Sequence, residues 1–428
     1  ELTRLAEVLL AAAVRFACDR LGERYGPLGG AGPGGGFAVV ALGKLGAGEL
    51  NYSSDVDLLY LYGQEGESGG GREGRVSNHR WAVRAAQGVT RLLERATPEG
   101  RLYRVDLRLR PDGAGGPLAL TPEACGGYYE ARGQGWERMA LLRARPVAGD
   151  PEVGRAFLEA VAPFVYRRTA DPALVASVRE LKRRHTRELA ARRERGFHVK
   201  LGTGGIREVE FFCQTLQLLH AGREPRLRCR NTFQLLHRLR RAGLIDAELH
   251  ASQLADYRLL RRIEQRLQME EDRQTHLLPE APEPRRRLAL GLGYPDLAAF
   301  DAEVAALRDR VHLLFLSLFA REEDEAARRR RRWLADHLTE RLAFVDRETA
   351  EAVLAAWPAE ALEVQEPAAI ADGLALLAAA AAGEPAAVHL VAAGHGRLEL
   401  RLAAADAVGL AALSTGALAA AGLDIVEG

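Results

Sequence analysis

Between Phe37 and Tyr62 near-continuous apolar runs are broken by glycines and by a pair of aspartates, and this stretch organises the chain around it. Val39, Val40 and Leu42 read as a buried strand, Gly43 and Gly46 break it, and Asp55-Val-Asp57 opens a second run from Leu58 to Tyr62. Ahead of it, Leu2, Leu5, Leu9, Ala13, Phe16 and Leu21 recur at helical spacing. They predict an amphipathic helix over residues 1–24 that stops before Gly26-Pro27 and braces the sheet. Gly29 to Gly36 and Gly63 to Arg75 read by default as solvated loops, with a cover over the site as the alternative. Asn78 to Ala96 reads as a helix, Tyr103 to Arg110 as a strand of period-two alternation, Pro111-Asp-Gly113 as a turn, and the chain from Pro122 as helical.

From residue 206 to about 320 apolar positions, among them Phe211, Leu216, Leu219, Leu235, Leu239, Leu254, Tyr257, Leu260 and Ile263, fall at three- and four-residue spacing, the pattern of a helical bundle. Asn231-Thr232 has the form of a helix cap. Residues 340–385 are alanine-rich and read as mostly helical, Arg397 to Leu402 alternates as a strand, and Asp406 to Ile425 reads as a helix returning to a strand. The fold class is therefore α+β: a small sheet domain over 1–150, whose mixed strand order is what the family resemblance given below implies, a helical bundle over 151–335, and a helical linker with a small αβ tail over 336–428. A chain of 428 residues has room for three such units.

Charge narrows the partners. The 59 basic and 58 acidic residues leave a net charge of +1, so no global field attracts a nucleic-acid backbone, and phosphate binding must come from local clusters. Arg328 to Arg332 follow Glu322 to Glu325 by about one turn, which makes them a solvated helix face. Cys18, Cys125, Cys213 and Cys229 are too scattered for a zinc site or a disulfide scaffold. The sequence shows no membrane-length apolar run, and its first residues lack a signal-peptide pattern; a cytoplasmic protein is expected.

The chemistry lies in the acids. Alternation along a strand puts Asp55 and Asp57 on one side, and two carboxylates together repel unless a divalent cation intervenes. Mg²⁺, with hard oxygen ligands and a polyphosphate completing its shell, suits such a pair. Asp106 is the candidate third acid; it shares a face with Arg104, Arg108 and Arg110, whose guanidinium groups match phosphate oxygens. The order Gly43-Lys44, Asp55-x-Asp57, Asp106 resembles the nucleotidyltransferase superfamily that includes DNA polymerase beta. That resemblance implies a glycine turn (Gly43, Lys44 and Ser54 nearby) cradling the triphosphate, two Mg²⁺ ions on Asp55, Asp57 and Asp106, and a third acid that helps activate the attacking hydroxyl. A second glycine turn, Lys200 to Gly205, precedes a helix carrying Arg207, Glu208 and Glu210, and helix amino termini bind anions. The amides of Gly204 and Gly205, with Lys200 and Arg207, are candidate phosphate contacts; the plainer reading is a capped helix whose acids complement its dipole.

Five phrases in order, GKLGAGELNYSSDVDLLY, YRVDLRLRPDGAGGPLAL, YYEARGQGWERMALLRARPVAGD, KLGTGGIREVEFFCQTLQLLHAGREP and LRRIEQRLQMEEDRQTHLLP, resemble the glutamine synthetase adenylyltransferase family over roughly residues 1–330. The resemblance implies ATP, or phosphate and ADP, as substrates and products, and glutamine synthetase as the partner. Only one of that family's two catalytic halves is visible, and NYSSDVDLL and GGIREVEF look closer to the amino-terminal deadenylylating half. The segment Leu398 to Val426 resembles the opening of an ACT domain, which implies an amino-acid effector, and a chain that starts without Met and stops soon after a strand reads as a fragment. Two alternatives stay open: a uridylyltransferase acting on a PII signal protein, although the His-Asp dipeptide of those proteins' hydrolytic domain does not occur here, and a catalytically silent nucleotide-binding module.

Overall fold

The computed structural model describes residues 1–29, 36–168, 174, 177–184, 187, 196–271, 275–341, 347 and 354, and the strands Ala386–Ala392 and Leu398–Ala404. The chain divides into two compact units, Glu1–Leu318 and Phe319–Gly428.

The first unit opens with helix α1 (Leu2–Tyr25) and continues through β1 (Phe37–Ala41), the short α2 (Gly43–Ala47) and β2 (Val56–Tyr62). Helix α3 (Asn78–Glu94) leads to two two-residue strands, β3 (Val105–Asp106) and β4 (Ala119–Leu120). Then come α4 (Pro122–Arg132), α5 (Gly135–Leu141), β5 (Arg145–Gly149) and α6 (Pro151–Val165). The sheet is mixed: β1 runs antiparallel to β2 and β5, while β3 and β4 both lie parallel to β2. All five residues of β1 are buried because both faces are covered, by α1 and α3 with β2's Leu58 and Tyr60 on one side and by α6 on the other.

Helix α1 forms as its periodicity predicts, but it turns a different face to the sheet. Ala6, Leu10, Ala13, Val14, Ala17 and Leu21 are buried, while Leu5 and Phe16 are each 52% exposed. Close approach of α3 selects small residues here: a β-carbon on Gly88 would sit 3.3 Å from that of Ala17. The loop after β2 does not cover the cavity described below. It packs on the end of α1, where the Gly70 amide donates to the Tyr25 carbonyl (2.9 Å) and Arg24 pairs with Glu73 (2.7 Å). Most of the loop expected over Gly29 to Gly36 lies outside the described residues.

The strand expected from Tyr103 to Arg110 is ordered as strand only at Val105–Asp106. Beyond it Arg108 folds back on Asp106, and Arg110 donates to the carbonyls of Leu107 (2.7 Å), Ala114 (3.0 Å) and Gly116 (3.2 Å), tying up its own turn. Arg110 still lines, with Asp55, Arg104, Asp106 and Arg108, a depression beside the acids, although its guanidinium bonds are made within its own turn.

The bundle comprises α7 (Ile206–His220), α8 (Thr232–Arg241), α9 (Ala247–Glu271), α10 (Pro282–Gly291) and α11 (Leu297–Arg341). Its core joins Val209, Leu235, Leu239, Tyr257, Leu260, Ile263, Phe300 and Leu307. Asn231 caps α8 by accepting from the Gln234 amide at 3.0 Å. The side chains of Arg328 to Arg332 lie outside the described residues.

In the second unit Ala386–Ala392 and Leu398–Ala404 form an antiparallel pair, with Leu390 opposite Leu400. The second of these strands contains most of the one read from the sequence, the first falls just past the alanine-rich segment, and the helix and strand expected over 406–425 lie outside the described residues. No helix among the described residues is long and apolar enough to cross a membrane.

Candidate active site

The acids are brought together by the sheet. Val56 and Val105, then Asp57 and Asp106, are register partners in the parallel β2–β3 pair, so the two carboxylates share a face. Asp55 lies just before β2, and all three acids line one cavity of about 380 Å³. Gly43 closes one side of Asp57: it sits at φ 51°, and an added β-carbon would lie 2.0 Å from Asp57 Oδ2. Burial and the neighbouring Asp106 charge push the Asp57 carboxyl up to about 6.

Each of the other two acids has an arginine. Arg104 Nε donates to Asp55 Oδ1 at 2.5 Å, and Arg108 holds Asp106 through Nη2 (2.6 Å) and its main-chain amide (2.8 Å). Although burial opposes it, these bonds keep the Asp106 carboxyl below its ordinary value. Among the described residues no three His, Cys, Asp or Glu side chains are gathered closely enough to hold an ion. The donor types nonetheless fit a hard cation. Asp57 is a half-buried carboxylate beside a second one, and a divalent ion relieves that combination of desolvation and like charge.

The opposite wall comes from the bundle and from α5: Trp136, Met139 and Arg143, then Lys200, Ile206, Arg207, Glu210, Phe211 and Gln214, then Gln268 and His276. Glu210 is 2% exposed and is held by Arg143 and Arg207, each at 3.0 Å. Burial disfavours its charge, but those guanidinium groups hold it well below the usual carboxylate range. Lys44, from the glycine turn, donates to Glu264 Oε1 at 2.7 Å. Its own ammonium is pushed down to about 8, chiefly by burial, against the pull of Glu264. Glu264 also accepts from Asn51 Nδ2 (2.6 Å) and lies 3.2 Å from His276 Nδ1, so the loop before β2 and the bundle share one buried acid.

Of the residues singled out from sequence, the cavity gathers Gly43, Lys44, Ser54, Asp55, Asp57, Asp106, Arg108, Lys200 and Arg207. Arg104, bonded to Asp55, and Arg110, bonded to its own turn, line an adjoining depression that also includes Asp55, Asp106 and Arg108. Gly204 and Gly205 do not line the cavity. The Gly204 amide donates to Glu208 Oε2 (2.9 Å), the capped helix start of the plainer reading, and the Gly205 amide donates to the Gly202 carbonyl (3.0 Å) within its own turn. Sequence reasoning missed Arg143, Trp136, Glu264, Gln268 and His276. A signal for two of them was present: Tyr257, Arg261, Glu264 and Gln268 share a face of α9, which put charge on what should have been an apolar stripe.

Residues 1–160 match the family described as glutamate–ammonia ligase adenylyltransferase, and residues 173–319 match the one described as GlnD PII-uridylyltransferase. Similar curated proteins carry the name bifunctional glutamine synthetase adenylyltransferase/adenylyl-removing enzyme. The one from Thioalkalivibrio sulfidiphilus is 45% identical over 327 residues, 76% of this chain and 33% of the relative. Those from Stenotrophomonas maltophilia (strain R551-3; 47% over 291 residues, 68% and 31%) and Rhizobium meliloti (42% over 292 residues, 67% and 29%) are matched over the same fraction of their length. The chain thus spans about a third of the length of these relatives. Over the part that these matches cover, it belongs to the glutamine synthetase adenylyltransferase family.

Proposed function

We propose that this chain transfers an adenylyl group to, or removes it by phosphorolysis from, a tyrosine of glutamine synthetase. The observation that carries the reading is the cavity itself, where Asp55, Asp57 and Asp106 stand on the sheet side and Lys200, Arg207 and Arg143 on the other, in a chain whose relatives are named for both reactions. In transfer, the tyrosine oxygen bonds to the α-phosphorus of ATP and the bond to the pyrophosphate leaving group breaks. In removal, a phosphate oxygen bonds to the adenylyl phosphorus, ADP forms, and the tyrosine oxygen leaves and takes a proton. Both routes pass negative charge across the phosphoryl oxygens.

In this reading Asp106, kept ionised by Arg108, is the carboxylate that orients or deprotonates the attacking hydroxyl. Asp57 is fixed against Gly43 and Asp55 against Arg104, so the acidic wall is set before substrate arrives. The chemistry that Mg²⁺ supplies when bound by Asp55, Asp57 and Asp106 is Lewis-acid stabilisation of that phosphoryl charge. The Trp136, Met139 and Phe211 side chains give the cavity an apolar flank that excludes water from the reacting groups.

Mass spectrometry of glutamine synthetase after incubation with ATP, and of its adenylylated form with phosphate, assigns acceptor and direction together. Asp55→Asn, Asp57→Asn and Asp106→Asn should each lower turnover by about a hundredfold or more. AMP exchange that persists unchanged in all three overturns the reading. The match over residues 173–319 favours one second reading, uridylyl transfer to a PII signal protein; labelled UTP with PII as acceptor separates the two.

A further inference from the structure

The basic side chains that line the cavity are Lys44, Arg108, Arg143, Lys200 and Arg207. Four of them already have an acid. Lys44 is spent on Glu264 at 2.7 Å, Arg108 on Asp106 at 2.6 Å, and Arg143 and Arg207 both on Glu210 at 3.0 Å. Lys200 differs: among the described residues its ammonium forms no ion pair, although the half-buried side chain lines the same cavity. Its backbone is anchored, since its carbonyl accepts from the Arg207 amide (3.0 Å) and the next amide, that of Leu201, donates to His198 Nδ1 (3.1 Å). A cation on a fixed backbone that touches no acid among the described residues, with Glu264, Glu210 and Asp57 acting on it only from beyond contact distance, keeps its ammonium donors available to an anion that enters the cavity.

We propose that Lys200 is the phosphate-binding cation of this cavity, and that Lys44, the lysine of the glycine turn, is a structural tie to Glu264. The chemistry recognised is a phosphoryl group, supplied either by free orthophosphate or by the phosphate of an adenine nucleotide. The inference deepens the adenylyl-transfer reading and rests on it only for the identity of that anion. Burial and the adjacent Arg207 charge depress the Lys200 ammonium, against the pull of Glu264, Glu210 and Asp57 from beyond contact distance. Glu210 stays fully occupied by Arg143 and Arg207, so it does not compete for the lysine at contact distance.

The test is calorimetric binding of orthophosphate and, separately, of AMP and ADP to the wild-type chain and to its Lys200→Met and Lys200→Arg variants. Lys200→Met should weaken the bound anion by about tenfold or more, the size of a charge-assisted hydrogen bond, and Lys200→Arg should bind more tightly than Lys200→Met. A loss confined to orthophosphate assigns the lysine to the free anion, and a loss confined to AMP and ADP assigns it to the nucleotide phosphate; either supports the proposal. Unchanged affinity for all three, or no anion binding by the wild-type chain, overturns it. If Lys200→Met does not fold, Lys200→Gln carries the same comparison, and thermal unfolding of each variant separates lost binding from lost structure. In the phosphorolysis assay the lesion should appear as a raised KM for phosphate, restored in part by Lys200→Arg. The two readings fail separately. A wild-type chain that is inactive on glutamine synthetase but loses phosphate at Lys200→Met sinks the reaction and keeps the site, whereas an active chain indifferent to Lys200→Met sinks the site and keeps the reaction.

Discussion

Gly43 shows how one residue sets the geometry of the acids. Its φ of 51° lies in the left-handed region, where a side chain costs about 1–2 kcal/mol, and its missing β-carbon leaves the space that Asp57 Oδ2 occupies. Gly43→Ala should therefore do two unequal things. It lowers stability by about 1–2 kcal/mol, a loss the fold survives. It also forces the Asp57 carboxylate away from its place beside Asp106, and a displacement of that order lowers turnover by about a hundredfold. Chemical denaturation and AMP exchange measured on the same preparation check the split; equal, small effects on both would show that Asp57 does not depend on the turn for its position. Residues of this kind were legible because the signal is local. An apolar run, a glycine and an Asp-x-Asp within twenty positions define a strand, a turn and a paired face without help from the rest of the chain. Glu264 was not legible in that way, because its partner Lys44 lies 220 positions away.

At the scale of elements, α9 ties the bundle to the sheet. Tyr257, Arg261, Glu264 and Gln268 present polar groups from one helical face to the loop around Asn51: Tyr257 donates to Glu49 Oε2 (2.9 Å), Arg261 to the Glu49 carbonyl (2.6 Å) and to Asn51 Oδ1 (2.7 Å), and Gln268 accepts from the Ser53 amide (3.4 Å). Tyr257 also reaches Glu210 Oε1 at 3.3 Å, so a single hydroxyl serves two buried carboxylates. Tyr257→Phe removes it without opening a cavity and should cost about 1–3 kcal/mol, the penalty of leaving buried acceptors short of a donor; urea denaturation measures it. The existence and order of the helices could be read from periodicity, but the mixed sheet could not: strand direction leaves no periodic signal, and β5 lies in a stretch that read as helical. Nor could faces and ends. In α1 every third or fourth position is Leu, Ala, Val or Phe on more than one side, so the stripe that meets the sheet is chosen by close packing against α3 and not by hydrophobicity. In Tyr103 to Arg110 the alternation is real, but Arg108 and Arg110 find acceptors on their own turn, and those bonds end the strand after Asp106.

For the first compact unit as a whole, the buried acids Glu210 and Glu264 make stability depend on pH. Both lie at the junction of sheet and bundle, at 2% and 0% exposure, and both carboxyls are held below their ordinary value of 4.5 in the fold. For Glu264, burial works against ionisation, but the bond from His276 and the charges of Lys44 and Arg261 outweigh it. On unfolding each returns to about 4.5, so in acid the unfolded chain takes up protons that the folded chain refuses. Their stabilisation is therefore complete above pH about 4.5 and is lost as pH falls further toward the folded values. Glu264→Gln isolates one share of this. At pH 7 it leaves Lys44 buried without its counter-charge and should cost about 3 kcal/mol. The gap between wild type and variant should then narrow on acidification below pH about 4.5, because the unfolded wild-type chain gains a proton at Glu264 that its folded form refuses, and the variant has no such site. Urea midpoints of the two proteins taken at pH 7, 5, 4 and 3.5 give the gap directly, and a difference that stays constant across that range would mean that Glu264 does not carry its charge within the fold.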